Sequence, residues 1–190
     1  GQLVGMYGEK TFGEIKKEDF GLIELNCSER AGLVWVMLTP GVDFNVDDWL
    51  GDFSLELETL NLKDWHIFDQ RELEGPGWKV ALDGYLEAYH HNQLHGGTVG
   101  KHTVGNLLVL DTYGPHQRLT FGRKSLSELV KKPEAEWNAP LDNIRLIHSG
   151  FPNLSISGVL GGHCLVSQIF PTSSPEITIT RQTILSAKEP

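Results

Sequence analysis

A chain of 190 residues with 39% hydrophobic and 22% charged side chains has the composition of an ordinary globular protein, with room for one domain or one domain and part of another. A net charge of −9 without any basic stripe excludes a nucleic-acid binder, because contact with phosphates needs clustered cations. The two cysteines, Cys27 and Cys164, lie too far apart to frame a disulfide scaffold or a cysteine-based zinc or iron–sulfur site. No secretory signal and no apolar run of the roughly 18 residues that a membrane helix needs are evident, so a cytoplasmic protein without membrane contact is expected.

From the N-terminus, Gly1–Gly5 and Gly8 mark tight turns around brief strands, and Gly32–Leu38 predicts a buried strand closed by the turn Thr39–Gly41. Asp43–Trp49 predicts a short helix with Asp43 or Asn45 as its N-cap. Leu55–Leu60 and Trp65–Leu73 alternate apolar and polar residues, the mark of half-buried antiparallel strands, and Gly75–Gly77 reads as a loop. From Trp78 to about Leu94 the period changes. Val80, Ala81, Tyr85, Ala88 and Tyr89 fall at helical spacing, and the helix should stop at Gly96-Gly97. Strands are expected at Asn106–Asp111, Gln117–Phe121, Asn143–Ile147, Asn153–Val159, Cys164–Pro171 and Glu176–Ser186. A helix is expected over Ser125–Glu136, a loop at Asn138–Pro140 and a turn at Gly158–Gly162. Strands, one long helix and more strands imply an α+β fold, an antiparallel sheet curled around a helix.

Of eight histidines, His90, His91, His95 and His102 cluster at the end of that helix, which also carries Asp83 and Glu87. Spacings of four and three place Asp83, Glu87 and His90 on one face. A carboxylate one turn before a histidine can accept its ring N–H and leave the other nitrogen for a metal. His95 follows His90 by five residues, which requires a loosened turn or a position just beyond the helix, made easy by Gly96 and Gly97. His91, 100° round the helix, should point away from the metal. Spacing alone leaves polar surface residues, a zinc site and an iron site open.

The run Gly77-Trp78-Lys79-Val80 followed by Asp83-Gly-Tyr-Leu-Glu87-Ala-Tyr89-His90-x4-His95 resembles the motif of the α subunit of Rieske-type ring-hydroxylating dioxygenases. Gly1–Gly5 and Gly32–Leu38 resemble strands of that family's Rieske domain, and Phe151–Asn153, Gln168–Pro171 and Arg181 resemble parts of its catalytic domain. The resemblance implies a helix-grip fold (START/Bet v1-like). Residues 1–42 would be a C-terminal remnant of a Rieske domain, and residues 43–190 a catalytic domain ending before its C-terminal helix. It implies mononuclear Fe(II) on His90 and His95, and Tyr89 packed beside the metal. Glu87 would stand where an acid, usually Asp, links the first ligand to a cluster histidine of the neighbouring subunit. Asp83 would stand near the iron. A [2Fe–2S] Rieske cluster is implied for the full-length protein, but its Cys-x-His and Cys-x2-His ligands are missing here. The third iron ligand is expected beyond Pro190, since Asp111 and Glu189 do not match its context.

The expected activity is hydroxylation of a small aromatic or related organic substrate with O2, fed by a ferredoxin or NAD(P)H-dependent reductase within an α3 or α3β3 assembly, with the fragment alone inactive. Two rivals stand beside it: a helix-grip carrier of hydrophobic ligands, and a zinc hydrolase using His90, His95 and His102. Cys164, in an apolar strand, reads as an inert buried thiol. His66, His116, His148 and His163 have no local partner that suggests catalysis.

Overall fold

The computed structural model describes residues 1–137, 140–158 and 162–188. Asn138 of the expected loop, Val159 of an expected strand, most of the Gly158–Gly162 turn and Glu189 lie outside the described residues. The first residues form two 3-10 turns, Glu9–Thr11 and Lys17–Phe20, where brief strands were expected. β1 (Cys27–Arg30) and β2 (Leu33–Val36) then pair as a separate two-stranded ribbon. A lone hairpin has one packed face, so Leu33 and Trp35 reach the core while Val34 stays 70% exposed; the strand read as buried is only half-buried.

α1 (Val46–Leu50) starts where Asn45 caps it, the side-chain oxygen accepting from the N–H groups of Asp47 and Asp48. α2 (Phe53–Glu58) replaces the strand expected at Leu55–Leu60. Its alternation Leu-Glu-Leu-Glu suggested a strand, but the buried residues Leu50, Phe53, Leu57 and Leu60 recur every three or four positions, and Leu55 points to solvent.

The remaining strands make one antiparallel sheet: β3 (His66–Pro76), β4 (Thr103–Tyr113), β5 (His116–Arg123), β6 (Ile144–Gly150), β7 (Leu154–Ser157), β8 (His163–Pro171) and β9 (Ile177–Ser186). Their spatial order is β3-β9-β8-β7-β6-β5-β4, so the first and second strands in sequence become the two edges. Between β3 and β4 the chain runs through α3 (Trp78–Leu86) and α4 (His91–Leu94), and between β5 and β6 through the single turn α5 (Leu126–Leu129). The α+β, helix-grip reading is therefore borne out, while three further local readings are not. Gly75 and Pro76 belong to β3, Ser125–Glu136 holds only α5 and a 3-10 turn at Glu134–Glu136, and the long helix over Trp78–Leu94 is broken in two.

Residues paired across an antiparallel sheet project to the same face, which gives the sheet two distinct sides. One side carries Leu154, Ile156, Cys164 and Val166 against Leu50, Phe53 and Leu57 of α1 and α2. The other carries Leu119, Phe121 and Ile147 against Leu86 and Ala88 of the broken helix. Burial raises the Cys164 thiol to about 11, so it stays protonated and inert as expected.

Two enclosed histidines serve the first side. His116 stacks on Phe53 at 4.9 Å, donates through Nε2 to the Trp49 carbonyl at 3.0 Å, and accepts at Nδ1 from the Phe151 N–H at 3.1 Å, which fixes a neutral ring. His148 Nε2 lies 2.9 Å from Glu56 Oε1, and Arg118 bridges Glu56 at 2.8 Å and Asp111 at 3.0 Å. Burial lowers the affinity of both histidines for a proton. At Glu56, burial pushes the carboxyl up, but hydrogen bonds from Arg118 and His148 outweigh it and hold the group low.

A lowered histidine pKa means that the unfolded chain takes up protons before the folded one. Stability from these rings is therefore present above about pH 6.5 and falls as pH drops below it, by up to about 1.4 kcal/mol per pH unit for each ring. Glu56, also lowered, extends the loss below about pH 4.5. Urea unfolding at pH 7.5, 6.5 and 5.5 is expected to show a falling midpoint, less steep in His148→Gln. A midpoint flat across that range would contradict the assignment.

Candidate metal centre

α3 begins at Gly77, whose backbone lies so close to the β8–β9 connection that a Cβ would sit 2.5 Å from the Pro175 carbonyl oxygen. The helix ends at Glu87, which adopts an extended conformation (φ −130°, ψ 161°). One oxygen of the Glu87 carboxylate accepts the backbone N–H groups of Tyr89 and His90, and the other meets Nδ1 of His90. The carboxylate thus caps the next turn and orients the histidine in one gesture. Asp83 and Glu87 do not share a helical face, because Glu87 has left the helix, and Asp83 is exposed on α3.

α4 carries the chain from His91 to Leu94 and leaves His95 at its C-cap, just beyond the last helical residue. Gly100 closes back on this turn, its N–H donating to the His95 carbonyl at 2.8 Å, and a Cβ there would lie 2.5 Å from the His91 carbonyl oxygen. Only glycine fits that approach. The rings of His90 and His95 stand 5.2 Å apart at 73°, and the ring of His91 lies 5.0 Å from that of His90.

The break at Glu87 resets the helical phase at His91. Its ring is buried against Phe121 of β5 at 5.1 Å, and its Nδ1 has no hydrogen-bond partner. Burial lowers its proton affinity, with the charges of His90 and His95 adding to the effect. The burial was missed in the sequence because it depended on where the helix breaks. Tyr89, expected beside a metal, is 87% exposed. His102 is exposed. Asp111 pairs with Arg118 on the edge of the sheet.

Two imidazoles about 5 Å apart at their centroids suit a borderline divalent cation, with Nε2 of His90 left free once Glu87 occupies Nδ1. Burial pushes the Glu87 carboxyl up, but hydrogen bonds from the His90 ring and the Tyr89 N–H hold it below the ordinary range and so anionic. Among the described residues no group of three or more His, Cys, Asp or Glu converges as a metal site.

The family model described as "Ring hydroxylating alpha subunit (catalytic domain)" matches residues 62–190. The carnitine monooxygenase oxygenase subunit of Acinetobacter pittii (strain PHEA-2) is 33% identical over 87 residues, which cover 43% of this chain and 22% of that protein. Among solved structures, the quaternary ammonium Rieske monooxygenase CntA with L-carnitine superposes with a TM-score of 0.74 at 19% identity over 100% of this chain and 49% of that one. The same enzyme with an inhibitor gives 0.75 at 20% identity, again over 49% of its length. The chain thus spans about half the length of those solved relatives, and at such identity the likeness is one of fold. Among the described residues no helix is long and apolar enough to cross a membrane. With the family model covering most of the chain, it belongs to the ring-hydroxylating α subunits and carries their catalytic domain.

Proposed function

We propose that this domain holds the mononuclear iron of an oxygenase that inserts oxygen from O2 into a small organic substrate, with His90 and His95 as two of the iron ligands. The observation that carries this reading is the carboxylate-oriented His90 facing His95 across 5.2 Å, on the helix side of the sheet. When bound there, iron(II) would supply dioxygen activation at coordination positions that two histidines and one carboxylate leave open. The chain's own residues do the rest. Glu87 keeps the proton of His90 on Nδ1, so that Nε2 presents a lone pair. Leu119, Phe121 and Ala88 exclude water from the base of the site.

Further assignments rest on family membership. Glu87 links His90 to a cluster histidine of a neighbouring subunit, within a trimer supplied by a reductase. For one solved CntA relative, inter-subunit electron transfer is named together with carnitine oxidation. Residues 1–42 are assigned to a Rieske-domain remnant. Because the named relatives act on carnitine, we favour monooxygenation of a small polar substrate over dihydroxylation of an aromatic ring.

Anaerobic titration of the metal-free protein with iron(II) tests the metal assignment. One equivalent should bind to the wild type and none to His90→Ala or His95→Ala at the same concentration, while His102→Ala binds as the wild type does. Equal binding by wild type and His90→Ala would remove the basis for the reading.

A further inference from the structure

On the helix side of the sheet, two arginines stand together without an acid. Arg123 lies two residues beyond Phe121 on β5, and Arg145 of β6 is the cross-strand partner of Phe121, so all three side chains project to the face that carries the histidines. Both arginines are half-buried. Every ion pair among the described residues uses a different base, and neither arginine makes a side-chain hydrogen bond there. Nε of Arg123 is sealed from solvent with no partner. Thr103, paired with Arg123 across β4 and β5, is fully enclosed, and its hydroxyl is also unpartnered.

Two like charges, partly desolvated and diagonal neighbours on one sheet face, are unfavourable unless an anion joins them. Burial, and then the charge of Arg123, pull the proton affinity of Arg145 down, as expected for an unneutralised pair. By contrast Arg118, on the other face, is fully engaged by Glu56 and Asp111. Arg118, equally half-buried, thus has its acids on the face that serves the core, while Arg123 and Arg145 have no ion-pair partner on the face of the histidines among the described residues. On the far side of Phe121 lies His91, whose ring is 5.0 Å from that of His90.

The geometry points to a carboxylate-binding site formed by Arg123, Arg145 and the Thr103 hydroxyl, which would anchor the acid group of a small substrate beside the histidine pair. A carboxylate matches it in shape, since guanidinium groups offer planar, paired donors and the hydroxyl adds a third. This inference rests on the oxygenase reading for the identity of its ligand as substrate, but the anion site itself stands on the arginines.

Arginine Nε–H resonances of the metal-free protein, followed by NMR during titration with acetate, acetamide or sulfate, test it. Acetate should shift the Arg123 and Arg145 signals saturably and acetamide should not, because the neutral amide lacks the charge. Arg145→Gln should weaken acetate binding at Arg123 by at least about tenfold, the size of one charge-assisted contact. His90→Ala should leave the acetate response intact, so failure of the iron reading and failure of the anion reading are separately visible. No saturable shift with acetate, an equal response to acetamide, or sulfate binding as tightly as acetate would overturn the proposal, the last by making it an inorganic-anion site. The acetate–acetamide contrast uses only the wild type and stands even if Arg145→Gln does not fold.

Discussion

Replacing Phe53 by alanine is expected to cost about 3–5 kcal/mol of folding stability, the range for emptying a fully enclosed aromatic site. Phe53 has no exposed surface, stacks on His116 at 4.9 Å, and lies 5.6 Å from Tyr113 and 6.5 Å from His148. Its neighbours cannot collapse inward. His116 is held at both ring nitrogens, by the Trp49 carbonyl and the Phe151 N–H, and His148 by Glu56. The cavity therefore stays open, and its cost adds to the lost transfer energy of the ring. Chemical denaturation should show a lower midpoint at an unchanged slope. Phe53→Leu, which keeps most of the volume, should recover a large part of the loss. A change below about 1 kcal/mol for the alanine variant would mean that the α1–α2 layer is not packed as described.

The second large effect concerns the metal. Glu87→Ala is expected to weaken iron(II) binding by about 10–100-fold without abolishing it, the usual consequence of removing the group that orients a ligating histidine. The carboxylate does two things here: it fixes the tautomer of His90 and caps the turn that carries it. Glu87→Gln separates them. The single amide oxygen can accept either from the backbone N–H groups or from Nδ1, and the amide nitrogen cannot accept at the other position, so one of the two roles is kept and the loss should be smaller than for alanine. Affinities measured by competition with a chelator check the order wild type, Glu87→Gln, Glu87→Ala, His90→Ala. Equal affinity of wild type and Glu87→Ala would remove the orienting role.

Much of this was legible in the sequence because it depends on short-range periodicity. The strands β3 and β5, the cap at Asn45, and the spacing Glu87-x2-His90-x4-His95 each needed only a few neighbouring residues, although β3, read as half-buried, is exposed along nearly its whole length. The readings that failed depended on packing. Leu55–Leu60 alternates like a strand, yet Leu50, Phe53, Leu57 and Leu60 line up only when the window begins earlier, and their partners Ile156 and Val166 come about a hundred residues later. The helix over Trp78–Leu94 looked continuous because nothing in its hydrophobic pattern marks Glu87. The break is made by a carboxylate that bonds the backbone ahead of it, a competition between side chain and helix that propensity does not record. The same break turns His91 inward against Phe121 and exposes Tyr89. The arginine pair was invisible for a related reason. Arg123 and Arg145 look like any strand residues until the register of β5 on β6, which sets Arg145 opposite Phe121, brings them diagonally together on one face.

X-ray absorption at the iron edge of the anaerobically loaded protein reads whether His90 and His95 both ligate the iron. The predicted spectrum carries imidazole outer-shell scattering from two rings, falling to one ring in His95→Ala. A spectrum without imidazole scattering, or one unchanged by that substitution, would contradict ligation by both.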